Sequence, residues 1–245
     1  MTSTNVLITG ANRGIGRGLL ELYLTRPNHT IIAAVRDPNH ATAKELTALS
    51  RSESTSLITV KLDLTIPSDP ARAVTELANH GIDRIDILVA NAAIALKWVK
   101  VSEVTTDDIQ QHVDVNVYGF VRLFQAFLPV LQKSKDPKFV TIGSCAAFLT
   151  NFIPMKNAAY APTKVVQHWL TKAIHTEEPW LTSFPVDPGW VQTDLGQRGA
   201  HAFGYEKAAI TVDDSVNGII KVIDASTRET HGGKLWVYTG QESPW

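Results

Sequence analysis

The sequence predicts an α/β domain built on a doubly wound parallel sheet of seven strands, with helices on both faces. Three observations predict it. Short β-branched runs alternate with helical patterns almost from end to end, as consecutive βαβ units do. The runs are apolar at nearly every position, as strands must be when helices cover both faces of the sheet. Finally, the first run passes directly into a cluster of glycines and then into a helical pattern.

The elements follow in order. NVLITG (5–10) forms the first strand, and the pattern over 14–25 forms the helix that crosses to the second strand, TIIAAV (30–35). Parallel strands need such crossovers. A helix over 41–51 leads to SLITVKLDL (56–64), and a helix over 68–80 leads to IDILVANAA (85–93). The longest helical pattern, 107–132, carries Ile109, Val113, Val117, Val121, Phe124, Leu128 and Leu131 at steps of three and four, an apolar stripe whose first duty is packing. KFVTIGS (138–144) precedes a helix over 158–176, LTSFPVDPG (181–189) precedes one over 211–225, and KLWVYTG (234–240) closes the sheet. Pro162 is tolerable only in the first turn of its helix, where a missing N–H has no intrahelical partner to lose. With Asn157 as cap it would lie too deep, so the helix is expected to start later or to kink.

Bulk composition narrows the function. The chain has 245 residues, enough for a full core, and no Gly/Ser linker, repeat or charge run divides it, so residues 1–245 read as one domain. A net charge of −1 gives no electrostatic reason to expect nucleic acid or an anionic membrane, and no stretch approaches about 18 uninterrupted apolar residues. The single cysteine, Cys145, excludes an internal disulfide and reads as a small buried side chain. The eight histidines show no H-x-x-x-H spacing, so no metal is expected. With a strand pattern beginning near the N-terminus and no secretory leader, the prediction is a cytoplasmic protein acting on small molecules.

Gly10, Gly14 and Gly16 stand in LITGANRGIG, together with Asn12, Arg13 and Ile15. Glycine allows a tight turn and a close backbone approach to a pyrophosphate, while the amides at the helix N-terminus face the anion. The spacing G-x-x-x-G-x-G differs from G-x-G-x-x-G, and a plain strand-to-helix turn would need no ligand; the position after strand one favours a dinucleotide and hence a Rossmann fold. The end of the second strand selects the cofactor, since a carboxylate there binds the ribose 2′-hydroxyl and an arginine pairs with a 2′-phosphate. Val35 and Arg36 occupy it, with Arg13 in the glycine loop, so NADP(H) is expected over NAD(H), although Asp37 argues the other way.

Further along come Asp63 and Leu64, Asn91-Ala92-Ala93, Asn116 in DVNVYG, Ser144 in TIGSCAA, Tyr160 and Lys164 in YAPTK, and DPGWVQTDLG (187–196). In this order, with the glycine loop, the chain from residue 5 to about 240 resembles the short-chain dehydrogenase/reductase family in its single-domain form, and within it the norsolorinic-acid-ketoreductase-like branch. The resemblance implies that Asp63 and Leu64 line the adenine site, that Asn91 and Ala92 lie beside the cofactor, and that Pro188, Gly189, Val191 and Thr193 embrace the nicotinamide. It also implies a tetrad of Asn116, Ser144, Tyr160 and Lys164, with Lys164 holding the nicotinamide ribose and Asn116 anchoring a water that leads to the lysine. Two departures stand out. The family's usual N-A-G reads Asn91-Ala92-Ala93, and Ser144 precedes Tyr160 by 16 residues, a few more than is common, which suggests an insertion within FLTNFIPMKN that reshapes the pocket.

Residues four apart share a helix face, so Tyr160 and Lys164 can address one site. A neighbouring ammonium, with the positive ring of an oxidised nicotinamide, would lower the phenol from its ordinary pKa of about 10 and make it an acid/base near working pH. Ser144, at the end of its strand, could donate a second hydrogen bond to the same substrate oxygen. The expected reaction is reversible reduction of a ketone, with hydride from NADPH going to carbon and a proton from Tyr160 to oxygen. Phe148, Phe152, Trp190, Leu195 and Phe203 are candidate walls for a hydrophobic or aromatic ketone, under a lid at 190–210. Taken singly, Tyr160 and Lys164 make a common surface pair, Ser144 a strand-end hydroxyl, and Asn116 a partner for its own helix backbone. A non-catalytic sensor of NADP on the same fold is the alternative, against which the tetrad weighs, while an epimerase or dehydratase would be expected to carry an extra substrate domain after residue 200. By the resemblance, the helices over 107–132 and 158–176 pair copies into a homodimer or homotetramer.

Overall fold

A computed structural model describes residues 3–245 and shows one continuous sheet. Its strands are β1 (Thr4–Thr9), β2 (His29–Val35), β3 (Ser56–Lys61), β4 (Ile87–Ala90), β5 (Lys138–Ile142), β6 (Thr182–Asp187), β7 (Leu235–Val237) and β8 (Glu242–Ser243). They lie in the order β3-β2-β1-β4-β5-β6-β7-β8. The first seven are parallel, with Val6 of β1 beside Ile31 of β2 on one side and Ile87 of β4 on the other. The sheet has eight strands where the sequence pattern predicts seven. The chain reverses at Gly240 (φ 86°), and β8 pairs antiparallel with β7 through Trp236 and Glu242. Two polar residues carry no periodic signal, so only the reversal reveals them as a strand.

The helices are α1 (Gly14–Leu24), α2 (Ala41–Lys44), α3 (Asp69–Asn79), α4 (Thr106–Val113), α5 (Phe120–Leu131), α6 (Tyr160–Glu177), α7 (Asp194–Ala202), α8 (Val212–Ala225) and α9 (Arg228–His231). On one face of the sheet Leu19, Leu20 and Tyr23 of α1 meet Ile219 and Ile223 of α8 over Val6, Ile8 and Ile31. On the other, Leu77 of α3 and Phe120, Leu123 and Phe127 of α5 pack on Leu7, Ile32, Leu88 and Phe139. Successive residues of β1 therefore enter opposite cores, and both cores are apolar, which is why the strand reads as an unbroken apolar run. Full burial of each such side chain contributes about 1.5–3 kcal/mol.

Two helices depart from the sequence pattern, and a third starts as Pro162 requires. The expected helix 41–51 is one α turn followed by a 3₁₀ turn over Glu45–Ala48, and Leu49 leaves it in extended backbone. The long helix 107–132 is broken by a π segment, Asp114–Gly119, between α4 and α5. The wider turn changes the phase. The buried face becomes His112, Asn116, Gly119, Phe120, Leu123, Phe127 and Leu131, leaving Ile109 of the expected stripe exposed and Val113 and Val117 half-buried. Helix α6 takes the later start expected of it: Pro162 is its third residue, inside the first turn, and Ala159 rather than Asn157 precedes it as cap. Among the described residues no helix is long and apolar enough to cross a membrane.

Candidate active site

The carboxyl ends of the central strands open into a cavity of about 1150 Å³. It lies where the strand order reverses between β1 and β4, the crevice that this topology leaves for a ligand. Gly10, Asn12, Arg13, Gly14 and Ile15 line one end. Gly10 (φ 66°) and Gly14 (φ 54°) adopt left-handed backbone that glycine takes without strain. Gly16 does not line the cavity. It lies behind the loop, where a Cβ would run into the Gly10 carbonyl and sit 2.6 Å from Asn91 Nδ2. From the other side Asn91 Nδ2 donates to the Thr9 carbonyl (2.7 Å), and Thr9 Oγ1 accepts from the Asn91 and Ala92 amides (3.0 and 2.9 Å). These bonds hold the turn against β4, and no side chain caps the first amides of α1, whose residues Gly14 and Ile15 line the cleft.

Arg36, Asp37 and His40 line the cavity beyond β2, and Asp63 and Leu64 line it beyond β3. The Asp37 carboxylate accepts from the Asn39 amide (2.9 Å), so it is engaged in its own turn. Ala92, Pro188, Gly189, Val191 and Thr193 line it too, with Ala92 beside Gly10 and Thr193 beside Gly14. A Cβ-free cradle, an open helix N-terminus and two guanidiniums fit a nicotinamide dinucleotide.

Tyr160 and Lys164, one helical turn apart at the mouth of α6, both line the cavity, with Lys164 Nζ 5.8 Å from the centre of the phenol ring. Ser144 follows β5 and lines the same region. Its amide donates to His168 Nε2 (3.3 Å), and its Oγ accepts from the Ala146 amide (3.2 Å). Asn116 is fully buried and does not line the cavity. Its Oδ1 accepts from the Ile94 amide (2.9 Å), and its Nδ2 donates to the Ile94 carbonyl (2.9 Å) and to Thr163 Oγ1 (3.0 Å). Its own carbonyl accepts from Gln167 Nε2 (2.6 Å), and Gln167 Oε1 accepts from Lys164 Nζ (2.7 Å). Gln167 therefore joins the Asn116 backbone to Lys164 through its side chain. Gln167 and His168 escaped sequence reasoning. Their signal was polar residues at inward positions of α6, three and four beyond Lys164.

Burial governs the charges here. It lowers Lys164 to about 7 and His168 to about 3, and it raises Asp187 to about 6 and the Cys145 thiol to about 12. Burial also raises Tyr160, opposed by its hydrogen bond with the Ser144 side chain. The net direction on the phenol in the protein itself is thus the reverse of that expected from its spacing to Lys164, because desolvation outweighs the stabilisation of phenolate.

Of the expected walls, Trp190, Leu195 and Phe203 line the cavity, joined by Leu96, Trp98, Ile153, Met155 and Tyr205. Phe148 and Phe152 do not. After the 3₁₀ turn Cys145–Ala147 the chain buries Phe148 and then swings outward, leaving Phe152 68% exposed and turning Ile153 and Met155 inward instead. Trp190 sets its ring edgewise against Phe203 (6.1 Å) and Tyr205 (5.3 Å), while its Nε1 donates to the Gly196 carbonyl (3.1 Å). The expected lid segment contains α7, whose N-terminus is capped by Thr193.

Fold and cleft together define an oxidoreductase class that works on a nicotinamide dinucleotide. The chain belongs to the short-chain dehydrogenase family, whose family model matches residues 4–202. It is 41% identical to the norsolorinic acid ketoreductase nor1 of Dothistroma septosporum, over 99% of this chain and 92% of that one. It is equally 41% identical to the norsolorinic acid ketoreductase of Aspergillus parasiticus, over 99% and 91% of the two chains. Among solved structures it is similar to the NADPH-bound carbonyl reductase from chicken fatty liver, with a TM-score of 0.87 and 26% identity over 100% of both chains. The fold is also shared with the carbonyl reductase Sniffer of D. melanogaster (TM-score 0.85, 21% identity, 100% of both chains).

Proposed function

We propose that the protein is a cytoplasmic, NADPH-dependent reductase of hydrophobic aromatic ketones, reversible as an alcohol dehydrogenase. One observation carries the reading: Tyr160, Lys164 and Ser144 share a cavity with the aromatic walls Trp98, Trp190, Phe203 and Tyr205. A dihydronicotinamide bound there would supply hydride to a carbonyl carbon. The chain's own residues do the rest. Burial keeps the Tyr160 phenol protonated, the form needed to donate to an oxygen gaining negative charge. Ser144 Oγ gives that oxygen a second donor, and Lys164 holds the ribose beside it. Arg13 and Arg36 favour a cofactor with a 2′-phosphate. The names of the similar ketoreductases and of the NADPH-bound carbonyl reductase support the same chemistry.

A sensor of NADP would gain nothing from a lysine buried at such desolvation cost beside a tyrosine. In this reading the whole chain is one domain, 190–210 is its lid, and copies pair as a homodimer or homotetramer through exposed Val166 and Trp169 of α6 with Ile109 and Tyr118. Absorbance at the nicotinamide band, followed with a panel of carbonyls, tests the function. Net oxidation of NADPH by hydrophobic aromatic ketones is expected, with lower efficiency for NADH and for polar phosphorylated carbonyls. No oxidation with any ketone would leave the sensor.

A further inference from the structure

We propose that Gln167 is the positioning residue that sets the orientation and charge state of Lys164, gripping the amine with its side-chain carbonyl and the Asn116 backbone with its side-chain amide. The premise is geometric; the kinetic consequence rests on the catalytic reading above.

Gln167 and Lys164 are each 2% exposed, and Asn116 is 0% exposed, so solvent does not compete for these bonds. A lysine ammonium has three donors. The Ile142 carbonyl takes one at 2.9 Å and Gln167 Oε1 takes another at 2.7 Å. Lys164 also lines the cavity, which leaves the third for whatever occupies the cleft. The network itself settles which way the amide points. With Nε2 donating to the Asn116 carbonyl at 2.6 Å, Oε1 must face the lysine; turned over, it would set oxygen against oxygen and N–H against N–H.

An acceptor fixed in this way favours the ammonium, and it opposes the burial that depresses Lys164. Of the other ionisable groups, Tyr160 and His168 on α6 lie beside the amine, while Cys145 after β5 and Asp187 at the end of β6 act on the phenol. Gln167 differs from all of them: a carboxamide has no exchangeable charge near neutral pH, so its grip does not titrate. It holds polarity without passing a proton.

The test compares Gln167→Leu, which removes the acceptor, with Gln167→Glu, which keeps an acceptor towards Lys164 and adds negative charge but loses the donor to the Asn116 carbonyl. The Lys164 side chain is titrated by NMR in full-length protein carrying ¹³C,¹⁵N-lysine, its signal identified by its loss in Lys164→Met. This readout needs no substrate. The midpoint is expected to fall by about one pH unit in Gln167→Leu and to rise by about as much in Gln167→Glu. The alkaline limb of kcat with NADPH should move in the same opposite directions while KM for the ketone stays put. Equal midpoints in all three proteins, or a shift of both variants in one direction, would overturn the proposal. Opposite shifts without reduction of any ketone would uphold the role of Gln167 and sink the catalytic reading instead. If Gln167→Leu does not fold, the sign of the Gln167→Glu shift decides.

Discussion

At Tyr160 the protein holds a proton in place where bare spacing suggests it would be loosened. Burial raises the phenol's pKa, the Ser144 side chain pulls it partly back, and the amine one turn away is itself pushed towards neutrality. The pair is suited to giving a proton up only when negative charge appears in front of it. Tyr160→Phe removes the hydroxyl and keeps the ring, so turnover should fall by about 10²- to 10⁴-fold while NADPH binding, followed by fluorescence, stays within experimental error. Retained turnover would remove Tyr160 from the mechanism. The tyrosine, the lysine and Ser144 were legible because their order and spacing are local. Gln167 was not, since a polar residue on a helix reads as a surface position until Asn116, 51 residues earlier, is seen against it.

The strand-to-helix turn after β1 depends on a contact no propensity describes. Gly16 sits where α1 meets both the Gly10 carbonyl and the Asn91 side chain. Gly16→Ala should therefore destabilise the protein by about 1–3 kcal/mol, read as a fall in Tm, and weaken dinucleotide binding as the loop is pushed into the cleft. An unchanged Tm and unchanged affinity would show that the loop yields freely. The α/β alternation itself was readable because apolar runs and helical periods repeat over many residues. The π segment was not: one wider turn leaves the composition of 107–132 helical, and only the burial of Asn116 and Gly119 exposes the phase change. Phe148 and Phe152 were misplaced as walls for a related reason, because side-chain direction in an irregular loop follows from where the chain turns and from nothing in its residue types.

Across the whole molecule Asp187 joins two walls of the cleft, its Oδ1 accepting from the Cys145 amide (3.0 Å) and the Gly189 amide (3.3 Å). Burial raises it from 3.8 to about 6, so the folded state holds this proton more tightly than the unfolded chain does. Its contribution to stability is present below about pH 4, declines as pH rises towards 6 and is absent above that. Asp187→Asn keeps an acceptor for both amides and drops the charge. The variant should exceed the parent in stability by up to about 3 kcal/mol at pH 8, with the difference vanishing near pH 4. Denaturant melts at both pH values check it; a variant weaker at pH 8 would mean that the ionised carboxylate is needed for the two bonds.

Sequence by itself determined the glycine turn and the tyrosine–lysine pair, because each is written in residues that are neighbours along one turn or helix, and the fold class and family through the order in which such short stretches follow one another. Only the tertiary structure decided which aromatic side chains face the cavity, that β8 exists, that Gln167 joins Lys164 to Asn116, and which groups carry charge. Those properties arise from desolvation and from contacts between distant segments, and neither is encoded in any local period.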